Sequence, residues 1–356
     1  MCRNSVMSWT RYFAVALVIA TTPLSALAAD ISVLLPLTGA TAKASESIRD
    51  GLLASYYQAL AVDKASHSLH FYDTTPYPDL KPLLDIAINE ETTLVIGPLL
   101  KEHVSQLLEH TPNIPTLALN RVNNTNGGGV WQFALAPEEE TLPLVTLMRQ
   151  SGIQRVRTLM QADANSERLR QSFEQLWKAQ GGELLPVYIL KSTDTDGLTA
   201  NIKQLLAEPQ TAQAQAFYLA SPQLSLYALP LLNFYQRIPI PVYSGSQSYD
   251  AEKSQLERQD LNGLRFCGLP WLITPQKWQD SSDVLSINKA NYDRLYAFGA
   301  DAWTVSQQLN NPKKHPIAGR TGLLNLINGQ VQRTPVCAEV MDGKATLTQT
   351  TVGTSR

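Results

Sequence analysis

The residues best suited to chemistry in this sequence follow short apolar runs, each with the composition of a strand buried on both faces of a parallel sheet. Parallel sheets bind ligands at the carboxyl ends of their strands, where hydroxyl, carboxylate, amide and glycine N–H groups can meet a small molecule. We therefore expect these ends to line one cleft. The candidate ligand-binding residues are Thr38, Gly39, Thr41, Asp73, Gly97, Asn120, Ser221 and Ser244.

Patterns typical of catalysis or metal binding do not emerge. Residues 244–248, Ser-Gly-Ser-Gln-Ser, supply one glycine where the Gly-x-Ser-x-Gly nucleophile elbow needs two. No histidine pair has the one-turn helical spacing of a zinc motif, and no Cys/His cluster has zinc-site spacing. The sequence therefore predicts a protein that is not an enzyme and that needs no metal or cofactor.

The first 29 residues have the order of a secretory signal peptide. Arg3 and Arg11 precede the apolar stretch 12–20, and small residues at 26–28 precede Ala29. The apolar stretch is shorter than the ~20 residues that a transmembrane helix needs, so no membrane span is expected after cleavage. No Cys stands at the expected cleavage site, which predicts a soluble periplasmic protein.

Charge and cysteine content narrow the range of partners. The formal net charge of −2 becomes −4 without the leader, which holds two arginines and no acidic residue. A mildly acidic chain lacks the concentrated basic face that nucleic acid requires, so no nucleic-acid partner is expected. Two cysteines remain, Cys267 and Cys337. A disulfide and two buried free thiols both stay open for this pair.

The elements that position the candidates form two successive sets of strand, turn and helix. A polar, glycine-rich stretch at 123–129 separates the sets, and about 327 mature residues suit two domains. The predicted fold class is α/β with two lobes, each a parallel sheet flanked by helices. The predicted strands are 31–36, 69–72, 93–96 and 115–119 in the first set, and 131–135, 155–160, 185–190, 216–220 and 242–244 in the second.

The last third of the chain is less regular and predicts several crossings between the lobes. It contains an extended segment at 264–273, a long helix at 287–309 and two strands at 323–327 and 336–341. Tyr292, Tyr296, Phe298 and Trp303 on the helix are expected in a lobe core. We assign 30–134 and 250–312 to lobe 1, and 135–249 and 313–356 to lobe 2, with hinges near 132–136, 246–259 and 310–319.

Short motifs run over nearly the whole mature chain. They are ISVLLPLTG at 31–39 with IRDG at 48–51, VIGPLLK at 95–101, LALN at 117–120, FALAPE at 133–138, YLASP at 218–222, RF at 265–266 with PWL at 270–272, RLYAFG at 294–299 with DAW at 301–303, and GRTG at 319–322. In this order they resemble the type I periplasmic-binding-protein fold. Within that fold they resemble the C-terminal domain of the LpoA family of penicillin-binding-protein activators.

This resemblance implies a two-lobed, non-enzymatic protein of the periplasm. Members of the LpoA family bind a class A penicillin-binding protein and stimulate its peptidoglycan synthesis, so such a synthase is the expected partner. The family's helical-repeat N-terminal domain and its lipid-bearing Cys have no counterpart in this sequence, in which the α/β lobe is expected to follow the leader directly.

The alternative is a solute-binding receptor that delivers an amino acid or related metabolite to an ABC transporter. Amino-acid receptors of this fold resemble one another in placing Ser or Thr after the third and fourth strands, where hydroxyls hold a carboxylate. Here VIGPLLK and LALN end those strands without hydroxyls. Lys101 or Arg121 could bind an anion, although long basic side chains at such places are more often solvated. A small ligand in the inter-lobe cleft belongs to this alternative.

Overall fold

The structure is a computed structural model that describes residues 29–62, 67–123, 128–191, 194–281, 293–310 and 315–348. The predicted signal peptide lies outside the described residues except for Ala29, and Tyr292 also lies outside them. No helix of the described ranges is long and apolar enough to span a membrane.

The first part of the chain alternates strands and helices as the sequence predicts. Most residues of β1, β3, β4 and β5 are buried, whereas the edge strand β2 is half-buried, and turns with Gly, Pro or Asn follow the strands. The elements are β1 (Ala29–Leu35), α1 (Ala42–Val62), β2 (His67–Asp73), α2 (Lys81–Ala87), β3 (Thr92–Ile96), α3 (Lys101–Glu109), β4 (Thr116–Ala118) and β5 (Val130–Gln132).

The second part repeats this alternation. Asp163 and Asp194 cap two of its helices, because each side chain accepts a hydrogen bond from a backbone N–H of the first turn. The elements are α4 (Thr141–Gln150), β6 (Arg155–Met160), α5 (Ala164–Ala179), β7 (Glu183–Ile189), α6 (Thr195–Ala207), β8 (Ala216–Leu219), α7 (Ser225–Tyr235), β9 (Val242–Gly245), β10 (Leu264–Gly268) and α8 (Pro270–Ile273).

The last part contains one long helix and two hairpins. Each hairpin closes with two residues at positive φ, Asn328-Gly329 and Asp342-Gly343, which are the residue pairs that type I′ turns require. The elements are α9 (Asp293–Ser306), β11 (Ile317–Ala318), β12 (Leu323–Ile327), β13 (Gln330–Thr334), β14 (Val336–Met341) and β15 (Lys344–Leu347).

Two sheets define two lobes. In the described residues, the lobe 1 sheet has the order β11-β12-β13-β5-β4-β3-β1-β2, and the lobe 2 sheet has the order β15-β14-β10-β9-β8-β6-β7. Strands β1 to β5 pair in parallel, and so do β6 to β10. The five parallel strands have the same order in both sheets. The predicted two-lobed α/β fold, with a second lobe that copies the first, is confirmed.

The predicted division of the last third between the lobes is wrong for several strands. Strand β10 pairs with β9 and belongs to lobe 2, although 250–312 was assigned to lobe 1. Strands β11 to β13 join the lobe 1 sheet, although 313–356 was assigned to lobe 2. The error has a physical reason: an apolar pattern predicts that a segment is a strand but does not identify the strand with which it pairs.

The topology also corrects the hinges. The chain crosses between the lobes after β5, between β10 and α9, and between β13 and β14. The crossing predicted at 132–136 agrees with the first of these. Those predicted at 246–259 and 310–319 are wrong, because the first connects β9 to β10 within lobe 2 and the second connects α9 to β11 within lobe 1.

Lobe 1 is closed by the contact of α1 with α9. A Cβ atom on Gly51 would lie 1.9 Å from the Tyr296 carbonyl oxygen, and one on Gly299 would lie 1.9 Å from the Ile48 carbonyl oxygen. The two backbones therefore approach more closely than any other residue would allow. The side chains of Tyr296, Phe298 and Trp303 are buried, which confirms the predicted core role of α9; the last two belong to the main apolar cluster of this lobe.

Lobe 2 has a stacked aromatic core and a covalent link. The Phe173 ring stacks on Tyr218 with centroids 4.0 Å apart and lies 5.7 Å from Trp177. Cys267 of β10 and Cys337 of β14 lie opposite each other in an antiparallel pair and are joined by a disulfide. The disulfide therefore links the strand from which the chain leaves lobe 2 to the strand on which it returns.

Candidate functional site

The polar strand ends of lobe 1 form a closed turn. The Asp73 carboxylate accepts hydrogen bonds from the Thr38 hydroxyl (2.7 Å), the Leu37 N–H (2.8 Å) and the Thr75 N–H (2.9 Å). Partial burial acts to raise the pKa of Asp73, but these hydrogen bonds outweigh it and hold the pKa at about 2. The carboxylate is thus a turn-forming group whose acceptor capacity is largely used.

The other lobe 1 candidates are also structural or solvated. A Cβ on Gly97 would lie 2.1 Å from the Leu34 carbonyl oxygen, so this glycine permits close packing of β3 on β1. The Asn120 amide donates to the Leu99 carbonyl (2.9 Å) and accepts from the Arg121 N–H (2.9 Å). Gly39 and Thr41 are exposed at the start of α1.

The lobe 2 candidates are buried hydroxyls that form hydrogen bonds with other groups of the protein. Ser221 accepts from the Gln161 N–H at 2.7 Å and contacts the Ser166 hydroxyl at 2.6 Å. Ser244 donates to the Leu219 carbonyl at 2.7 Å and accepts from the Ser248 hydroxyl. The structure therefore groups Thr38 with Asp73, but it does not bring the eight predicted residues together.

A cavity of about 400 Å³ lies between the lobes, and none of the eight predicted residues lines it. Its volume is in the range of small-molecule sites. The lining residues come from the first crossing, from the segment after β9, and from α8, α9 and β13. They include Leu135, Glu140, Ser246, Tyr249, Asp250, Glu252, Leu269, Leu272, Arg294 and Arg333, and no histidine or cysteine is among the described residues that line the cavity.

Three successive glutamates on the first crossing bind both lobes. Glu138 pairs with Arg168 of lobe 2 at 2.9 Å. Glu139 accepts from Arg121 (2.9 Å) and Arg333 (3.1 Å), which both belong to lobe 1. These side chains form their ion pairs from a short 3-10 turn. Arg121, weighed above as an anion-binding residue, is half-buried and already paired.

The next contacts join the lobes directly. Glu140, 6% exposed, accepts from the Ser246 hydroxyl (2.6 Å) and the Ser246 N–H (3.0 Å) in lobe 2. Arg294 of α9 donates to the Ser246 hydroxyl (2.8 Å) and carbonyl. Burial lowers the pKa of Arg294, and the Glu140 carboxylate acts in the opposite direction. We call Arg121, Glu139, Glu140, Ser246, Arg294 and Arg333 the inter-lobe network.

An apolar contact lies beside the network. Leu269 and Leu272 of lobe 2 pack on Ala297 of α9, with Leu135 and Trp271 at the edge of this cluster. The Trp271 ring lies 5.3 Å from Tyr296. Trp271 is thus half-buried between the lobes.

The GRTG motif anchors the lobe 1 side of this contact. The buried Asp301 carboxylate accepts from the Arg320 N–H (2.8 Å), the Thr321 N–H (2.7 Å) and the Thr321 hydroxyl (2.6 Å). Burial raises the pKa of Asp301, and these hydrogen bonds oppose the shift. The Arg320 carbonyl then accepts from the Trp271 N–H of lobe 2 at 2.9 Å.

The remaining charges of the cavity are acidic. Burial raises the pKa of Glu252, and the carboxylates of Asp250 and Asp293 add to the shift. Within the described ranges, however, no three His, Cys, Asp or Glu side chains converge as ligands of one metal ion. Ser246 donates to Glu140 and has no imidazole beside it in the lining. The arrangement joins the two lobes through buried polar contacts.

The sequence of this chain matches one family of known proteins over most of its length. The sequence model of the family described as "LppC putative lipoprotein" matches residues 17–343. The penicillin-binding protein activator LpoA of Serratia proteamaculans is 28% identical over 305 residues, which cover 75% of this chain and 45% of that protein. The chain thus spans about half the length of the curated relatives that it matches.

Solved structures share the fold at low identity. The LpoA C-domain from Haemophilus influenzae, a regulator of PBP1A, superposes with a TM-score of 0.69 at 20% identity over 90% of this chain and 100% of that one. A "putative branched-chain amino acid ABC transporter" protein from Rhodospirillum rubrum gives a TM-score of 0.73 at 16% identity over 90% and 100%. At these identities the likeness establishes the type I periplasmic-binding-protein fold alone.

Proposed function

The chain belongs to the LppC family, and from that premise we propose that it is a non-enzymatic regulator of peptidoglycan synthesis. In this proposal it works in the periplasm, where it binds a class A penicillin-binding protein and favours the active state of that enzyme. Activation requires tighter binding to the active state than to the idle one. The predicted signal peptide and the names of the LpoA relatives support this location and partner.

The observation that most supports a binding role is the inter-lobe network. Its glutamates lie on the first crossing and bind Arg121 and Arg333 of lobe 1 and Ser246 of lobe 2, and the Arg333 side chain is almost fully buried. Breaking a buried pair typically costs about 3–5 kcal/mol, so opening the lobes is expected to be unfavourable. A body with fixed lobes suits a protein that presents an outer surface to a partner better than one that closes on a solute.

The test is peptidoglycan synthesis by purified class A penicillin-binding proteins of the source organism, with and without residues 30–356. We expect a saturable rise in glycan polymerisation or cross-linking as the chain is added. No rise, together with no measurable binding to any of those synthases, would refute the proposal. Because the chain spans about half of its relatives, the assay also asks whether this two-lobed part is sufficient.

A solute receptor of an ABC transporter remains the second candidate, and the cavity of about 400 Å³ is the observation that favours it. The test is a thermal-shift screen against amino acids and muropeptides. A ligand that binds only the folded chain raises the melting temperature in a concentration-dependent way. A saturable rise with an amino acid, without any effect on synthase activity, would place the receptor first.

A further inference from the structure

Helix α7 of lobe 2 is apolar on two opposite faces. Its inner face packs Ala228, Leu229 and Leu232 into the main core of the lobe. Its outer face exposes Tyr227 (60%) and Phe234 (79%) to solvent. A helix that is apolar all round is normally covered on both sides. An outer face of this composition is therefore typical of an interaction surface.

The exposed side chains form one stripe. Tyr227, the half-buried Leu231 and Phe234 follow the spacing that places residues on one face of a helix. Ile238, three residues beyond the helix end, is 79% exposed. We call Tyr227, Leu231, Phe234 and Ile238 the α7 stripe. Phe and Tyr side chains at such density are characteristic of interface centres.

The equivalent helix of lobe 1 provides an internal control. Helix α3 follows the third parallel strand of its sheet, as α7 does, and it buries Val104, Leu107 and Leu108 on its inner face. Its exposed positions are polar, however: Lys101, Glu102, Ser105 and Glu109. The fold therefore does not require an apolar outer face at this position, and the α7 stripe calls for a separate explanation.

Two cations lie at the C-terminal end of the stripe. The Lys203 ammonium lies 4.7 Å from the centroid of the Tyr235 ring, and the exposed Arg237 precedes Ile238. In the part of the chain that the structure describes, no carboxylate lies within ion-pair distance of either cation. Arg121, Arg157 and Arg170, by contrast, each contact a carboxylate. The end of the stripe thus has positive charge available for an acidic group of a partner.

The size and charge of the stripe disfavour a second copy of this chain as its occupant. Large side chains carry about 150–250 Å² each, so the stripe offers on the order of 400 Å², about half of one side of a standard interface. A second copy packed antiparallel on α7 would place Lys203 and Arg237 against residues 221–227. That segment has no acidic residue and ends in the positive N-terminus of the helix.

We propose that the α7 stripe is the surface on which the class A penicillin-binding protein docks. The docking segment presents apolar side chains to Tyr227, Phe234 and Ile238 and at least one carboxylate to Arg237 or Lys203. This inference rests on the proposed function, because it names the surface through which that function is exerted. The stripe forms the centre of the interface, and neighbouring polar surface completes it.

The experiment measures the equilibrium dissociation constant of each purified class A synthase for the wild-type chain and for variants. The double variant Phe234→Ala/Ile238→Ala is expected to weaken binding about 30-fold or more, because central aromatic and aliphatic anchors dominate such interfaces. Arg237→Glu is expected to weaken it about tenfold at low salt and less at high salt. Circular dichroism and the melting temperature check that each variant is folded.

Matched controls come from lobe 1. Ile86→Ala removes an apolar side chain of lobe 1 that is 58% exposed and lies outside the α7 stripe. Lys101→Glu reverses the charge of an exposed cation on α3. Both are expected to bind within about twofold of wild type, as is usual for residues outside an interface centre. Equal loss of binding in the controls and the stripe variants would overturn the inference.

Two further outcomes separate this inference from the proposed function. If the wild type binds a synthase and the folded stripe variants bind equally well, the stripe is not the docking surface, while the proposed function stands. If the wild type binds no class A synthase, the proposed function fails and this inference fails with it. A wild-type dimer in sedimentation velocity that Phe234→Ala/Ile238→Ala converts to a monomer would also overturn it, in favour of a self-interface.

Discussion

Lobe 1 and lobe 2 share the order of their five parallel strands and differ in how each is completed. Lobe 1 receives α9, which packs on α1 through Gly51 and Gly299. Lobe 2 receives the hairpin of β14 and β15, and the Cys267–Cys337 disulfide joins β14 to β10. The same parallel core is therefore compatible with a close helix contact in one lobe and a covalent link in the other.

The lobes also differ on their outer surfaces. Helices α3 and α7 occupy equivalent positions, and both bury an apolar inner face. Only α7 has an apolar outer face. A parallel sheet constrains the side of the helix that packs on it and leaves the other side free. The difference teaches that the topology and the inner helix faces specify this fold, whereas the outer helix faces are free to differ.

We expect the largest loss of stability when the disulfide of lobe 2 is removed. Cys267→Ala/Cys337→Ala is expected to lower the free energy of unfolding by about 4 kcal/mol, because the bond closes a loop with a sequence separation of 70. Urea denaturation followed by tryptophan fluorescence measures the loss. Wild-type protein under reducing conditions should lose a similar amount; a double variant as stable as the oxidised wild type would contradict the expectation.

The corresponding change in lobe 1 is Gly299→Ala. The new methyl group would overlap the Ile48 carbonyl oxygen and force α9 away from α1, which we expect to cost about 3 kcal/mol. Gly128→Ala is the control, since no atom lies within 4 Å of a Cβ at that position, and it should change stability by less than about 0.5 kcal/mol. Equal melting temperatures for both variants would argue against the close helix contact.

The link between the lobes can be weakened at the first crossing. Glu139→Gln removes the nearer of the two carboxylates beside Arg333, which is 5% exposed, and leaves Glu140 at 3.9 Å. We expect the free energy of unfolding to fall by about 2 kcal/mol. Hydrogen exchange should increase at the crossing before it increases in either sheet. Glu138→Gln removes a solvent-exposed ion pair with Arg168 and should cost about 0–1 kcal/mol. If the two variants prove equally stable, the buried network does not fix the lobes.

The smallest expected effect concerns Asp73 and depends on pH. The folded pKa of about 2 lies below the ordinary aspartate value, so the charged turn stabilises the fold above pH ~4 and loses this contribution as the pH falls through about 2. Asp73→Asn should therefore lower stability by about 1 kcal/mol at pH 7 and by much less near pH 2. Thermal melts of both proteins across this range test it; a difference independent of pH would exclude the charge as its source.

Most of the fold could be predicted from the sequence, for a physical reason. Strand β8 is a continuous apolar run, and β3 ends in one, because both faces of a parallel sheet are covered. The residue pairs Asn328-Gly329 and Asp342-Gly343 are a further sequence signal, because they are typical of two-residue hairpin turns. The pairing of β10 could not be predicted, because an apolar run does not identify the strand beside which it lies.

The inter-lobe network could not be predicted from the sequence, for a different reason. Glu139 and Arg333 are separated by 194 residues, and their contact depends on the third crossing, which the pattern did not locate. The strand ends predicted as ligand sites are instead held by their own hydrogen bonds, as at Asp73 and Ser221. The run Glu138–Glu140 was the visible signal, since three adjacent carboxylates beside a lobe boundary need cationic partners.

The pairing of β10 with β14 returns the chain to lobe 2 at the place where it left. Gly268 and Val336 lie opposite each other, so a two-residue turn could replace everything between them and convert the two strands into an ordinary hairpin. Residues 269–335, which contain α8, α9 and β11 to β13, then become an insertion that supplies α9 and three strands to lobe 1. In this sense lobe 2 is the host domain, and the elements that complete lobe 1 are carried in one of its loops.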